Sequence, residues 1–200
     1  MAPTRAHASA PAPWLDTASA HGDLTAAKAL VYDPCGFACS QPVPEAESAE
    51  YAAHEFTLEG RSIRFRAART TPTKAGQFVT VWKRSQAGPI QPFDATDPIG
   101  LFVISTRDHD RFGQFVFPMD ALREQGVVSG GGSAGKRAFR VYPPWVITTN
   151  RQAARAQAWQ VDFFLRLPQD GPVDLARAWG LYGPQGGADG QNHQAAADPS

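Results

Sequence analysis

Seven cations and no acid lie between Glu59 and Asp94: Arg61, Arg64, Arg66, Arg69, Lys74, Lys83 and Arg84. Five more, Lys136, Arg137, Arg140, Arg151 and Arg155, lie between Glu124 and Asp162, again without an acid. The acids gather elsewhere, notably as Glu45, Glu47, Glu50, Glu55 and Glu59, so a chain of zero formal net charge can still carry a positive face. Such a face attracts phosphates and speeds association at low salt. Arginine adds bidentate phosphate contacts and stacking on bases, and Trp82, Tyr142 and Trp145 stand beside the cations as stacking candidates. The anion-binding set read from this pattern is Arg64, Arg66, Lys74, Arg84, Lys136, Arg137, Arg140 and Arg151. Arg151 and Arg155 open a helical segment, where cations oppose the helix dipole unless an anion also visits that terminus. The competing reading of Arg64 and Arg66 is a solvated strand face paired in space with the glutamates.

Other chemistry is thin. In "RDHDR", Asp108, His109 and Asp110 are adjacent on the chain, so on an extended backbone they point to opposite sides and read as a polar hairpin tip. His54, at a strand edge, reads as a structural histidine rather than a catalytic base. "GGGSAGK" has the spacing of a phosphate loop from Gly130 to Lys136, but Arg137 stands where the magnesium-binding Ser or Thr belongs. No Gly-x-Ser-x-Gly elbow is present, and the two cysteines, Cys35 and Cys39, read as reduced thiols. No metal site is assigned from the sequence.

The elements that must position these residues follow from periodicity. "DLTAAKALVY" predicts a helix over 23–32, capped by Asp23 and ended before Asp33 and Pro34. From Tyr51 the period changes to two. "YAAHEFTL" and "SIRFRAA" flank "EGR" as a hairpin, and "QFVTVWKR" follows the "TTPTKAG" turn as the third strand of a meander. "GLFVIST" and "FGQFVFP" make a second hairpin around "RDHDR", "MDALREQG" a short helix ended by Gly126, and "KRAFRVYPPW" a strand. A last helix is predicted from about Asn150 to Leu167, with Ala156, Trp159, Phe163 and Leu167 as its buried stripe and a cap from Thr148, Thr149 or Asn150.

The length of 200 residues fits one domain over 23–182, with residues 1–22 and 183–200 too rich in Ala, Pro, Gly and polar residues to bury much, hence expected to be disordered. No apolar run is long enough for a membrane helix, and "MAPTRAHASAPAPW" lacks the apolar stretch of a secretory signal, so a cytoplasmic protein without a membrane partner is expected. Nothing in the pattern sets an oligomeric state.

The strings "FRAARTTPTKAGQFVTVWKR", "GPIQPFD", "FGQFVFP" and "GKRAFRVYPPW", followed by "QAARAQAWQ", resemble the MepB family over about Glu47 to Leu167. That family is named for a gene beside a multidrug efflux pump. The resemblance implies a restriction-endonuclease-like α/β (α+β) topology: a mixed, mostly antiparallel sheet flanked by helices, here with the 101–118 hairpin as an addition. Such a scaffold turns attention to phosphodiester substrates. Nucleases of the PD-(D/E)XK type resemble one another in pairing an Asp on one strand with a Glu or Gln two residues before a Lys on the next, to hold magnesium and support the attacking water. If Lys83 is that lysine, the acid position is Val81, and the strand 62–69 has no Asp. The triad is incomplete. Three functions follow: a DNA-, RNA- or phosphate-anion-binding domain on a nuclease-like scaffold; a diverged magnesium-dependent nuclease using Lys83, Gln77, Glu50 and Glu55; or a non-enzymatic accessory or small-ligand protein linked to efflux operons.

Overall fold

The computed structural model describes Trp14, residues 20–84 and residues 88–184. The segments read as disordered at the two ends lie outside the described residues, except for Trp14, residues 20–22 and residues 183–184. Trp14 is buried, edge-on to Phe56 at 6.3 Å between ring centroids.

Helix α1 (Gly22–Ala27) continues through a π-helical turn (Lys28–Tyr32) into α2 (Asp33–Cys35). The helical run thus passes the expected stop at Asp33 and Pro34: the π-helical turn, in which the Asp33 N–H bonds to the Lys28 carbonyl, carries the chain into a proline at the start of α2. Gly36, left-handed at φ 69°, closes it. The cap is His21, whose ring nitrogen accepts from the Asp23 N–H. The expected cap, Asp23, is instead buried, accepting from Ser105 Oγ at 2.8 Å and from Arg107.

After β1 (Val43–Pro44) come the expected hairpin strands β2 (His54–Leu58) and β3 (Arg61–Ala67), then β4 (Arg69–Thr71), β5 (Lys74–Thr80), β6 (Trp82–Arg84) and β7 (Ile90–Pro92). The second hairpin is β8 (Leu101–Asp108) and β9 (Arg111–Pro118), followed by α3 (Met119–Glu124) and β10 (Ala138–Val141). Helix α4 (Arg151–Gln160), a 3-10 turn (Val161–Phe163), β11 (Phe164–Arg166) and α5 (Leu175–Tyr182) complete the described chain.

The main sheet has the order β1-β2-β3-β8-β9-β11, a second has β10-β5-β4, and β6 pairs with β7. The three-strand meander is corrected. The edge of β3 that a meander would offer to β5 is taken by β8, running parallel with Ile63 opposite Leu101, so β5 folds back on β4 and pairs on its other side with β10. The 101–118 hairpin is therefore no peripheral addition but the middle of the sheet. Residues 101–106 of β8 are all buried, as a strand covered on both faces must be. Leu101 and Val103 join Leu24, Val31, Tyr32 and Tyr182 on the helical side, while Phe102 and Ile104 join Val79, Val81, Phe115 and Val141 on the other.

The final helix is shorter than expected. It ends at Gln160, and Phe164 pairs opposite Phe115 in β11, the aromatic ring filling the space left by Gly113, where a Cβ would stand 2.7 Å from the Leu165 carbonyl. Helix α5, beyond the expected elements, is capped by Asp174, which accepts from the Arg177 N–H at 2.9 Å, and buries Ala178 and Tyr182. None of the described helices is long and apolar enough to cross a membrane.

Candidate anion-binding cleft

The cations of the two acid-free stretches meet different surroundings. Four of the basic stretch meet acids within the fold. Arg66 on β3 is fully buried and forked onto Glu45 at 2.6 and 2.9 Å, with a third bond to the Phe65 carbonyl at 2.8 Å. Arg64, two residues earlier on the same face of β3, pairs with Glu55 on β2 and lies 3.5 Å from Glu45. Lys83 pairs with Asp97, and Arg84 with Glu47 at 2.6 Å. The hydrogen bond and charge of Arg84 hold the Glu47 carboxyl below its ordinary range, and Glu47 raises the guanidinium in return. The "EAESAE" segment is thus the internal counter-charge of β3 and β6. It encloses a cavity of about 420 Å³ where Glu45, Glu47, Glu55 and Asp97 face Arg64, Lys83 and Arg84, with Trp82 in the wall.

The loop that delivers Asp97 is held by Asp94. Its carboxylate accepts from Ser129 Oγ at 2.6 Å and from the Thr96 hydroxyl and N–H at 2.6 and 2.9 Å, and these bonds pull its pKa to about 2. Asp97 also accepts from the Asp94 N–H at 2.7 Å.

The four residues read as a rearranged catalytic centre are not brought together. Lys83 and Glu55 line the 420 Å³ cavity, and Glu50 borders a separate one with Asp23, Arg69 and Arg107. Gln77 is buried on β5, donating to the Arg107 carbonyl at 2.5 Å and to Thr70 Oγ1 at 3.3 Å. Gln77 and Lys83 were expected on one strand, "QFVTVWKR". The chain breaks between β5 and β6 at Val81, which separates them. Among the described residues, no group of three or more His, Cys, Asp or Glu is placed to hold a metal ion.

Four of the other cations converge elsewhere. A cleft of about 710 Å³ opens between β5, β10 and α4, and Lys74, Lys136, Arg140 and Arg155 line it without any acidic residue. None of the four is in an ion pair among the described residues. Lys74 and Lys136 are exposed, at the start of β5 and on the approach to β10. Arg140 is positioned by uncharged groups, donating to Thr71 Oγ1 at 2.7 Å and to the Gly76 carbonyl at 3.2 Å, with its guanidinium 5.7 Å from the centre of the Phe78 ring. Its charge therefore stays uncompensated. Tyr142 lies against Gly76, which is left-handed at φ 75° and where a Cβ would come within 2.6 Å of the Tyr142 ring, so the close approach requires glycine.

Helix α4 forms the opposite wall. Asn150 caps it, accepting from the Ala153 N–H at 2.9 Å, and Gln157 ties it to the Pro143 and Val146 carbonyls at 3.0 and 2.9 Å. At its end the buried carboxamide of Gln160 donates to the Arg140 carbonyl and accepts from the Tyr142 N–H. Trp159 completes this side, partly covered by Phe117 at 5.1 Å.

Of the residues expected to bind an anion, Lys74, Lys136 and Arg140 share this cleft, and Tyr142 is its aromatic neighbour. Arg64 and Arg84 line the charge-balanced cavity with Trp82, and Arg66 is sealed against Glu45. Arg137 and Arg151 are exposed but do not line the cleft. Trp145 is turned away, edge-on to Phe164 at 5.4 Å. Trp159, Gln160 and Asn150 were not among the site candidates. Their signal was the spacing on α4: residues 152, 153, 156, 159 and 160 follow the helical period and form the face turned to β10.

Fold and cleft together define an α+β domain in which a mixed sheet, mostly antiparallel and covered by helices, carries a smaller sheet whose strands β5 and β10 wall a basic cleft. The sequence profile of the MepB-like family matches residues 45–166, and the chain belongs to that family. Among solved structures, the one titled "Crystal Structure of MepB" is similar, with 32% identity and a TM-score of 0.63 over 66% of this chain and 89% of that one. No curated protein matches.

Proposed function

We propose that this protein binds phosphate-bearing ligands of the nucleic-acid and nucleotide class in the cleft between β5, β10 and α4. One observation carries the reading: four cations line a single cleft that contains no acid, while the neighbouring basic strands are neutralised by glutamates and aspartate. Lys74, Lys136 and Arg155 are exposed and Arg140 is half-buried, and gathering unpaired like charges around one opening costs their mutual repulsion, which an anion relieves. Lys74 and Lys136 act as mobile point charges at the rim, and Arg140, held by Thr71 and Gly76, as a fixed fork suited to phosphate oxygens. Tyr142 and Trp159 offer apolar surface beside the cations, as single-strand binding sites do.

The reading is tested by fluorescence anisotropy of labelled single- and double-stranded DNA and RNA against the full chain over a range of salt concentrations. Four phosphate contacts predict that log K falls against log salt with a slope of about −3 for single strands, on the rule of roughly −0.7 per contact. Absence of binding to every one of these at low salt would overturn it.

A further inference from the structure

Strand β10 pairs with β5 on one side only; its other edge faces the cleft. The register fixes which backbone groups lie on that edge. The Val81 N–H bonds to the Arg137 carbonyl at 2.8 Å, which makes Ala138 and Thr80 a non-hydrogen-bonded pair. Alternation then turns the N–H and C=O of Phe139 and Val141 toward β5, and those of Ala138 and Arg140 away from it.

Gln160 shows what this outer edge takes. Its carboxamide spans the Arg140 carbonyl and the Tyr142 N–H, donating to one at 2.9 Å and accepting from the other at 2.8 Å. The identical pair two residues earlier is the Ala138 carbonyl and the Arg140 N–H. Neither has a hydrogen-bond partner among the described residues, and both residues line the cleft. A backbone acceptor and donor at the i and i+2 positions of a strand fit a planar group carrying an adjacent donor and acceptor on one edge. The side-chain amide of Gln160 is one such group, and the hydrogen-bonding edge of a nucleobase is another.

We infer that the ligand of the cleft is a nucleotide, free or within a strand, whose base docks edge-on against the Ala138 carbonyl and the Arg140 N–H while its phosphate meets Lys74, Lys136, Arg140 or Arg155. The inference rests on the phosphate-binding reading and adds the base to it. The charge of the cleft selects a nucleotide over a peptide, the other molecule that pairs with a strand edge. Nothing in the backbone pair distinguishes one base from another, since each base can present a donor beside an acceptor. Gln160 acts as a positioning residue, closing the edge at Tyr142 so that only the Ala138–Arg140 pair is open.

The test compares the four nucleoside 5′-monophosphates with ribose 5-phosphate, and AMP with its N6,N6-dimethyl analogue, by calorimetry and by the ¹⁵N-resolved amide signals of the full chain. Two hydrogen bonds predict binding of at least one monophosphate about tenfold tighter than ribose 5-phosphate. They also predict a downfield move of the Arg140 amide that ribose 5-phosphate does not cause. Dimethylation, which removes the amino donor but keeps the ring and its charge, should abolish the gain seen with AMP. Equal affinity for all four and for ribose 5-phosphate, with a silent Arg140 amide, overturns the inference but leaves phosphate binding standing. Binding of none overturns the inference, and with the oligonucleotide titration negative as well it overturns both. An N-acetyl dipeptide amide that moves the Arg140 amide when AMP does not would assign the edge to a peptide and overturn the nucleotide.

Discussion

Glu45→Ala isolates the part of the basic stretch that the fold itself uses. Arg66 is 0% exposed and Glu45 15% exposed at its side chain, and two bonds of 2.6 and 2.9 Å join them. Removing the carboxylate leaves a buried guanidinium with only the Phe65 carbonyl as a partner, and breaking a buried pair from one side costs about 3–5 kcal/mol. That is a large part of the roughly 5–15 kcal/mol that holds a domain folded. The double variant Glu45→Leu with Arg66→Met removes both charges and keeps apolar volume, so most of the loss should return. Urea denaturation of Glu45→Leu, Arg66→Met and the double variant measures this as a coupling energy, with the m-value expected to stay constant. A loss below about 0.5 kcal/mol for Glu45→Ala, the size of an ordinary surface change, would refute the assignment of Arg66 as structural.

Other outcomes follow from single contacts. Lys83→Ala should leave nucleic-acid affinity within about twofold of wild type, because Lys83 faces Asp97 rather than the cleft; anisotropy titration at low salt checks this, against the roughly fivefold or greater loss expected for a phosphate contact. Gly76→Ala, at φ 75° and with the Tyr142 ring 2.6 Å from the new Cβ, should destabilise by about 1–3 kcal/mol and shift the Tyr142 ring signals, read by denaturation and NMR. Asp94, held at about 2 against its ordinary 3.8, has a depressed folded pKa. Its hydrogen bonds therefore contribute fully above about pH 4, and the contribution is lost as pH falls toward 2. Asp94→Asn should flatten the fall in melting temperature over that window, and an unchanged acid limb would contradict the role.

The strands that alternate were legible because alternation is local. Ile63, Phe65 and Ala67 against Arg64 and Arg66 marked β3, and the continuous run of "GLFVIST" carried the mark of a strand buried on both faces, though not its place in the sheet. Strand order depends on which edge finds a partner, and nothing local to residues 61–84 shows that β8, over thirty residues on, takes the edge of β3 in parallel. The same limit hid the ion pairs. Charge segregation along the chain is real, yet the segment 45–50 brings Glu45 and Glu47 back onto Arg64, Arg66 and Arg84, and β2 sets Glu55 beside Arg64, so segregation in sequence becomes neutralisation in space. The cleft was half legible: Lys74, Lys136 and Arg140 were in the expected set, and Arg155 stood out as a cation in the first turns of a helix. Gln160 could not be read as a strand-edge cap before α4 was known to end there.

The central claim is that the acid-free cleft, and not the paired cations, carries the binding. The most direct measurement is the affinity of one labelled single-stranded oligonucleotide, at several salt concentrations, for the wild type and two multiple variants. One is Lys74→Ala with Lys136→Ala and Arg155→Ala in the cleft; the other is Lys83→Ala with Arg84→Ala in the charge-balanced cavity. The cleft variant should bind at least about a hundredfold more weakly at low salt, with a salt slope shallower by about 2, while the cavity variant keeps the wild-type slope. Wild-type affinity and slope in the cleft variant, with loss confined to the cavity variant, would contradict the account.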